Sequence, residues 1–543
     1  MNLTLKSGSL SGTLAILLLA QSCATLQNDR SPAKARAALN CDFLFKNTRK
    51  NVTSAMKCED NVNWKNHGST VQNSVPVYVE PSTEEEVAEV VRLAYENSWK
   101  VRPVGSGHSW SQITQAEEIL LGTHNLIKAI RYNKEKLTAV IGAGQTLKSI
   151  VQQLGEIGLA LPNLGSTQAQ TLAGVVSTNT HGTGITKTGF AGMVLALRIV
   201  NGKGQVQVAS PNENSDLFYS ALAGAGMVGV ITELTIKIEN NFDIALQTSH
   251  MNIDELFKAG PDGKFESSVF VKELEKNEWL SLFWPLAFDD VTLAKGNRAT
   301  AQEIAGREVW RDVPGTKGKT LVKEGGRRTK SVTISAFVRN SIVRRLVSGI
   351  ANNAESWNGF FNTAYNISKV VSGGTKKVYN YAQAISGNFE IRPWDWAFET
   401  EFFFPIEFLP AVMTKMKEYA NYLEKEQIYL AAPFVGMRFL KGDNAYLSTA
   451  YKYKGYDRFV AFNVYDKAGP TTSTPWLLAV KKILQEAIGS DTFLLRQHLG
   501  KINHDGPASF RARYANWSKF ENAREESDPR RIFLNRWTES FFK

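Results

Sequence analysis

A glycine-rich loop that directly follows a short apolar strand is the feature that most constrains how this chain folds. The strand is Val101–Val104, and the loop reads Val104-Gly105-Ser106-Gly107-His108-Ser109. Paired glycines let the backbone turn sharply and present consecutive N–H groups, which form a nest for a pyrophosphate without side-chain charge. A histidine that leaves such a loop stands beside whatever the pyrophosphate carries, although a histidine next to glycine can also be purely structural.

The segments around this loop alternate between strands and helices. Val75–Val79 is apolar and β-branched, which predicts a strand and the beginning of the ordered chain. Ser82 or Thr83 then caps a helix, with Glu85 or Glu86 completing a capping box. Strand–helix alternation of this kind indicates an α/β domain.

The composition changes from about residue 242, where aromatic residues become dense. Phe398–Phe404 and Phe434–Phe439 are strand-like runs, and Leu409–Leu423 has the spacing of an amphipathic helix. We therefore expect a second domain of α+β type.

A second block of small residues, Pro162 to Gly184, suits close approach of the backbone to a flat, extended ligand. A tight turn between helices is the alternative interpretation.

The third block, Gly224–Gly229, matches G-x-G-x-x-G, the dinucleotide fingerprint. A Rossmann unit needs a strand before this motif and a helix after it. Here helix-like Leu217–Ala223 precedes the motif and strand-like Val230–Ile238 follows it, so we reject an NAD-binding Rossmann unit.

Taken in order, the three blocks resemble the FAD-binding domain of the vanillyl-alcohol oxidase superfamily, in particular its aldonolactone oxidase and alditol oxidase branch. In that branch a strand is followed by V-G-S-G-H-S, then L-A-G-x-x-S-T-x-T-H-G-T-G, then G-x-x-G-V-I-T. This chain carries all three over residues 64–240, and Asp528–Asn535 resembles the closing D-P-x-x-x-F-L-N. The resemblance implies an α+β fold, with a PCMH-type FAD-binding domain of two α/β subdomains and an α+β cap domain for the substrate.

The resemblance also implies where the cofactor binds. FAD is expected to be bonded covalently through His108, with no metal in the site. The expected cofactor contacts are Val104, Gly105, Ser106, Gly107, His108, Ser109, Gly165, Ser166, Gly174, Ser177, His181, Gly182 and Ile231. Along the chain we expect a signal or lipoprotein leader (1–23), an N-terminal extension (24–60), the FAD-binding domain (61–241), the cap domain (242–517) and a return segment to the FAD-binding domain (518–543).

Two segments resemble substrate-side motifs of the family. Gln497–Asn503 resembles H-W-G-K-x-H, with Leu499 in place of Trp, and puts Lys501 at the flavin as a cation. Pro433–Phe439 resembles the E-x-R strand. In that strand Arg438 matches, but Gly436 takes the place of the glutamate. A third segment, Thr400–Pro405, resembles E-Y-x-x-P, and its Glu401 either supplies the missing carboxylate or faces solvent.

The resemblance implies oxidation of an alcohol carbon by hydride transfer to FAD. The expected substrate is a small-molecule alcohol, which is a sugar lactone, an alditol or a bulkier lipophilic alcohol. Gly165 is small where an O2-limiting alanine occurs in dehydrogenase relatives, so we expect O2 as the acceptor and hydrogen peroxide as by-product. A dehydrogenase with another acceptor, and a flavin-binding protein with little turnover, are the alternatives.

The N-terminus indicates export to the periplasm or anchoring as a membrane lipoprotein. Lys6 precedes the apolar run Leu14–Ala20, and Cys23 follows in an imperfect lipoprotein box, so either lipidation or ordinary signal cleavage is expected. In an oxidising compartment Cys41 and Cys58 either pair as a disulfide or are unrelated thiols.

The net charge of +11 is uneven, because residues 295–345 hold thirteen Lys or Arg against four Asp or Glu. An exported chain rarely meets nucleic acid, and no recognition motif is present, so we expect no nucleic-acid partner. The basic region is either a solvated loop and helix face or a membrane-surface patch, since Ile334–Ile350 mixes apolar residues with arginines.

Overall fold

The computed structural model describes residues 39–49, 56–305, 308–312, 319–323, 376–388, 398–428, 434–466, 475–503 and 506–542. The predicted leader with Cys23 and the basic stretch 334–350 lie outside these residues. Within them, no helix has both the length and the apolar character needed to cross a membrane.

The described N-terminal part contains two main sheets and a short two-stranded pair of β7 with β11. Four strands pair in the order β1-β2-β4-β3, and five pair in the order β5-β6-β10-β8-β9. The strands are β1 (Lys57–Lys65), β2 (Gln72–Glu80), β3 (Val101–Val104), β4 (Ile119–Gly122), β5 (Arg131–Asn133), β6 (Thr138–Gly142), β7 (Leu159–Ala160), β8 (Val194–Val200), β9 (Val206–Ala209), β10 (Val230–Lys237) and β11 (Glu239–Asn240). The helices are α1 (Cys41–Asn47), α2 (Glu84–Asn97), α3 (Leu147–Glu156), α4 (Leu172–Ser177) and α5 (Ser215–Ala221).

Order begins earlier than Val75, so that expectation was wrong. Helix α1 and strand β1 precede it, and β1 pairs antiparallel with β2 along its length. Cys41 and Cys58 form a disulfide that fastens α1 to β1. This order depends on pairing with a later strand and on a covalent cross-link, which local periodicity does not reveal.

Two predictions from local sequence, the capping box and the absence of a Rossmann unit at Gly224–Gly229, are confirmed. Thr83 caps α2, and Glu86 completes the capping box. The G-x-G-x-x-G block has helix α5 before it and strand β10 after it, which is the reverse of a Rossmann unit.

A larger sheet forms the C-terminal part, with eight described strands in the order β17-β12-β14-β13-β19-β20-β18-β21. The strands of this part, including a separate β15–β16 pair, are β12 (Asp243–Asn252), β13 (Trp279–Pro285), β14 (Asp290–Arg298), β15 (Glu308–Asp312), β16 (Lys319–Lys323), β17 (Lys377–Asn380), β18 (Phe398–Pro405), β19 (Phe434–Lys441), β20 (Arg458–Asp466) and β21 (Arg496–Gln497). The helices are α6 (Ile253–Phe257), α7 (Val269–Lys276), α8 (Ala301–Ala305), α9 (Tyr381–Asn388), α10 (Leu409–Lys425), α11 (Pro475–Ile488), α12 (Pro507–Arg511), α13 (Trp517–Ser527) and α14 (Arg536–Glu539).

The two faces of this sheet differ in chemistry because side chains alternate along each strand. Phe402, Met437 and Phe462 point to one face, where they join an apolar core that includes residues of α10 and α11. The opposite face carries Glu401 and Arg438 next to apolar side chains such as Phe403 and Ala461, and we call it the polar face of the sheet because of its charged residues.

The C-terminal segment packs back onto the N-terminal part. The backbone N–H of Val101 donates to Ile532 O at 2.8 Å, and Asn535 Nδ2 donates to Gln112 O at 2.9 Å. Asp528 is buried and accepts hydrogen bonds from the N–H groups of Ile532 and Phe533. The domain bounds drawn from the sequence stay predictions.

Candidate active site

A cleft with about 710 Å³ of empty space, including its opening to solvent, lies at the end of strand β3. One wall is the loop Val104–Ser109. The other walls come from the start of α4 and from the turn that leads into β10.

The backbone around this cleft fits an extended dinucleotide. Gly107 has φ +64°, in the left-handed region, and a Cβ on Gly105 would lie 2.0 Å from Thr171 Oγ1. Side chains in the lining also keep unused hydrogen-bonding atoms, because Thr114 Oγ1, Gln170 Oε1 and Thr171 Oγ1 are buried and have no partner in the described protein. Buried polar atoms without partners are rare in native proteins, so this cleft is built for a ligand that supplies them. The residues present therefore fit FAD.

His108 lines this cleft, and its ring is stacked on that of His67 with the ring centroids 4.3 Å apart. Burial, followed by the nearby charges of His67 and Lys501, lowers the pKa of His108 to about 4. The imidazole is therefore neutral near pH 7, and one ring nitrogen keeps a lone pair.

A second cluster lies on the polar face of the large sheet and consists of Glu401, His181 and His498. Glu401 is only 2% exposed, so the alternative that it faces solvent was wrong. Its Oε1 lies 3.0 Å from His181 Nε2, and the backbone N–H of His498 donates to Glu401 O at 3.0 Å. Three chain segments that are far apart in sequence therefore meet around one buried carboxylate.

The hydrogen bonds of His181 define where a proton lies. His181 Nδ1 is 2.8 Å from the carbonyl of Gly182, which only accepts, so Nδ1 carries a hydrogen. A proton must then also lie between Nε2 and Glu401, because two lone pairs would otherwise face each other at 3.0 Å. Burial alone raises the pKa of Glu401, but His181, His498 and Arg438 together bring that pKa below its ordinary value. One shared proton therefore joins His181 to the carboxylate of Glu401.

His498, the other histidine beside Glu401, is neutral. The backbone N–H of Gly500 donates to its Nδ1 at 3.0 Å, which leaves the ring hydrogen on Nε2. Burial lowers the pKa of His498 to about 4, although Glu401 opposes that shift. His498 is therefore a neutral hydrogen-bond donor beside a charged pair.

Arg438 and Gly436 lie on strand β19, on the same face of the sheet as Glu401. Gly436 pairs with Asn463, which pairs with Glu401, so these three residues form one row across three strands. A Cβ on Gly436 would lie 3.4 Å from Tyr465 Oη, so a tyrosine ring occupies the space beside the missing side chain. Glu401 lies two strands away from Gly436 in that row, and its role as the replacement carboxylate stays a prediction.

Lys501 lies close to the cleft but has a carboxylate partner. Its ammonium pairs with Glu399 and sits 5.1 Å from the ring centroid of Trp110. Its charge also contributes to the lowered pKa of His108. The role of Lys501 as the cation at the flavin stays a prediction, and Glu399 partly neutralises that charge.

Residues 498–501 connect the cleft to the buried cluster. Trp110 N–H donates to Gly500 O at 2.8 Å, and Ser111 Oγ donates to Leu499 O at 2.5 Å. His498, at the start of this segment, lies against Glu401. The loop that carries His108 is thereby held directly against the loop that completes the cluster.

Most of the predicted cofactor residues come together in one place. The members of the cleft lining are Val104, Gly105, Ser106, Gly107, His108, Ser109, Gly174, Ser177 and Ile231. Gly165, Ser166, His181 and Gly182 are not part of that lining, and their cofactor contacts stay predictions. His181 instead faces Glu401, and Gly182 lies so close to Leu164 that a Cβ would be 2.3 Å from its carbonyl oxygen.

Several lining or cluster residues were not identified from the sequence. Arg102, Glu399, His498 and Tyr465 are the main ones. An arginine inside the buried strand Val101–Val104 was a signal that could have been used, since an unpaired charge is costly in a core. The other three depend on pairing between strands that are distant in sequence.

The D-arabinono-1,4-lactone oxidase family matches residues 234–541, which is more than half of the chain, and an FAD binding domain matches residues 75–210. The chain belongs to the D-arabinono-1,4-lactone oxidase family. The resemblance to the aldonolactone oxidase branch of the vanillyl-alcohol oxidase superfamily is confirmed. This member of the family is an FAD-dependent oxidoreductase that acts on an alcohol carbon.

Relatives of this family member cover almost its whole described fold. L-gulonolactone oxidase of Mus musculus is 26% identical over 491 residues, 89% of this chain and 98% of the relative. L-gulono-1,4-lactone dehydrogenase of Mycobacterium tuberculosis is 24% identical over 480 residues, 88% of this chain and 98% of the relative. Among solved structures, cholesterol oxidase from Brevibacterium sterolicum shares the fold with a TM-score of 0.70 at 14% identity, covering 91% of this chain and 99% of that one.

Proposed function

We propose that this chain oxidises a hydroxyl-bearing carbon of an aldonolactone-type substrate, with FAD bonded to His108 and O2 as the electron acceptor. The observation that carries the proposal is the direct contact between the cleft loop at Trp110 and the segment that holds His498 against Glu401. A dinucleotide site and a buried, charged sheet face are thereby joined. The gulonolactone relatives, which align over nearly their full length, favour the lactone class.

The side chains on the polar sheet face suit an alcohol. When bound, FAD accepts the hydride of the alcohol carbon. Arg438 holds the hydroxyl oxygen, and the ionised carboxylate of Glu401 accepts a hydrogen bond from the hydroxyl group and takes its proton as the carbon loses its hydride. His181 keeps Glu401 in place through its Nε2 contact at 3.0 Å.

The state of His108 supports covalent attachment. Its pKa of about 4 keeps the ring neutral, so a nitrogen lone pair is available for a bond to a carbon of the cofactor. The stacked ring of His67 fixes the plane of His108 in the cleft lining. A covalent bond keeps the cofactor through every turnover.

Replacing Gly165 by Ala tests the choice of O2 as acceptor. A Cβ at this buried glycine would lie 2.9 Å from Thr180 Cγ2, so the side chain fills space beside Thr180 and His181. We expect turnover with O2 to fall about tenfold, which is about 1.4 kcal/mol in the barrier, while turnover with an artificial dye is retained. The measurement is peroxide release and dye reduction on a panel of lactones, alditols and sterols.

Gly155→Ala is the matched control for this experiment. Gly155 lies in α3, and a Cβ there would meet nothing within 4 Å, so neither activity should change. Equal loss of O2 and dye turnover in Gly165→Ala would contradict a role in oxygen access. Absence of peroxide from every member of the panel would contradict O2 as the acceptor.

A bulkier, apolar alcohol is the second candidate substrate. Gly436 lies beside three aromatic side chains, Phe283, Phe434 and Tyr465, whose neighbouring ring centroids are 4.9 and 4.7 Å apart. An apolar wall beside Arg438 and Glu401 suits a hydrocarbon with one hydroxyl group. Higher kcat/KM for sterols than for lactones in the same panel would decide for this candidate.

We further propose that the chain is exported, to the periplasm or as a lipoprotein. The Cys41–Cys58 disulfide supports an oxidising compartment, since such bonds are rare in a reducing cytosol. Contact of the basic stretch 334–350 with a membrane surface is a proposal from sequence alone. Recovery of the full chain in the cytosolic fraction of cells would contradict export.

A further inference from the structure

Arg102 is a buried arginine in the wall of the FAD cleft. It lies on strand β3, two residues before the loop that carries His108, and only 4% of it is exposed. Its Nη1 donates to Phe533 O at 2.9 Å, Nη2 donates to Ala225 O, and Nε has no partner among the described residues. The guanidinium therefore contacts only neutral carbonyl groups.

A comparison with Arg496 shows what is missing around Arg102. Both guanidinium groups are fully buried, and both donate to backbone carbonyls. Burial lowers the pKa of each to about 10, but for Arg496 the acidic groups of Tyr514, Asp443 and Asp491 oppose that shift. No acidic group of the described chain opposes the lowering of the pKa of Arg102. A buried charge without a counter-charge destabilises a protein, so its retention calls for an anion from elsewhere.

The cleft is where such an anion would lie. Among the described residues that line it, Arg102 alone carries a permanent charge, because His108 is neutral near pH 7. Gly226 brings the backbone next to the guanidinium, since a Cβ on it would lie 3.4 Å from Arg102 Nη2. The nest formed by Gly105–Ser109 supplies only partial positive charges from N–H groups.

We propose that Arg102 supplies the full positive charge that opposes the diphosphate of the bound dinucleotide. Through Phe533 O the same side chain ties the C-terminal return segment to the cleft, so binding of the anion and docking of this segment stabilise each other. The proposal rests on the binding of FAD by this chain and not on the identity of the alcohol.

ADP is the probe that tests this role, because it carries the diphosphate without the flavin. The full chain is produced in a riboflavin-limited host so that it is isolated without flavin, and ADP affinity is measured by calorimetry. Arg102→Gln removes the charge, and Arg102→Lys retains it. We expect Gln to weaken ADP binding by about 10- to 100-fold, Lys to weaken it much less, and the binding of the unaltered chain to fall with added salt.

Arg496→Gln is the matched control, since it removes a buried arginine that lines no part of the cleft. ADP affinity should stay within about twofold in this variant, even if the chain unfolds at a lower temperature. Unchanged ADP affinity in Arg102→Gln would overturn the proposal. Equal losses in Arg102→Gln and Arg102→Lys would also overturn it, because they would show a packing role instead of a charge. If Arg102→Gln does not fold, a loss of ADP affinity of about 100-fold in Arg102→Lys would also overturn the proposal, because this variant keeps the positive charge.

Discussion

Replacing Glu401 by Gln is expected to lower kcat/KM by about 100-fold or more while the chain still folds and binds FAD. The amide keeps the shape of the carboxylate but removes its charge. The negative charge that interacts with His181, His498 and Arg438 is therefore lost. Steady-state kinetics on the best substrate of the panel measure the effect.

The pH dependence of stability provides a second readout for the same variant. Burial opposes the shift, but His181, His498 and Arg438 together lower the pKa of Glu401, so the folded chain holds this carboxylate ionised at lower pH than the unfolded chain does. Its contribution to stability is therefore present above the unfolded pKa, about 4.3, and is lost as the pH falls through the lower folded value. The Tm difference between the unaltered chain and Glu401→Gln should be constant from about pH 6 to 8 and shrink in strong acid.

Glu89→Gln is the matched control for Glu401→Gln. Glu89 is also a buried carboxylate. It lies on α2, pairs with Arg92 and Arg49, and is not part of the cleft lining. Its loss should lower the Tm and leave kcat/KM of the folded fraction unchanged. Similar kcat/KM values for Glu401→Gln and Glu89→Gln would contradict a catalytic role for Glu401.

Replacing His108 by Ala is expected to separate the flavin from the chain. The unaltered protein, once denatured and precipitated with acid, should keep its yellow colour in the pellet, whereas His108→Ala should release the flavin to the supernatant. Because the variant holds FAD only through noncovalent contacts, we also expect its turnover to fall about tenfold or more. Flavin absorption in pellet and supernatant gives the result directly.

His124→Ala is the control for that experiment, because His124 lies in the same domain and pairs with Glu80 at 3.2 Å instead of lining the cleft. It should retain the flavin in the pellet. Release of flavin from the unaltered chain would contradict a covalent bond, and retention by His108→Ala would assign the bond to another residue.

Local sequence was enough to predict the cofactor half of this protein. The loop Val104–Ser109, the capping box at Thr83 and the helix before Gly224 each depend on residues that are neighbours in the chain. The resemblance then assigned these blocks to an FAD-binding domain, and the family match confirms it. Short-range signals are reliable where backbone conformation and capping decide the structure.

The substrate half was less predictable because its contacts join distant segments. Glu399 and Glu401 alternate with less polar residues on β18, a pattern that is also typical of a strand with one face in water. The face is buried because His181 and the segment 498–501 cover it. His181 lies 220 residues before Glu401 in the chain, and His498 lies 97 residues after it. The partner of Lys501 and the burial of Arg102 depend in the same way on tertiary contacts.

Anaerobic mixing of the purified yellow protein with an alcohol substrate tests the central claim most directly, because it follows the cofactor itself. We predict that at least one lactone, alditol or sterol bleaches the visible absorption of the flavin without air, and that admitting air restores the colour and releases peroxide. If dithionite bleaches the flavin but no alcohol of the panel does so, the protein binds FAD without oxidising an alcohol carbon of these classes, and the account of Glu401 and Arg438 is wrong.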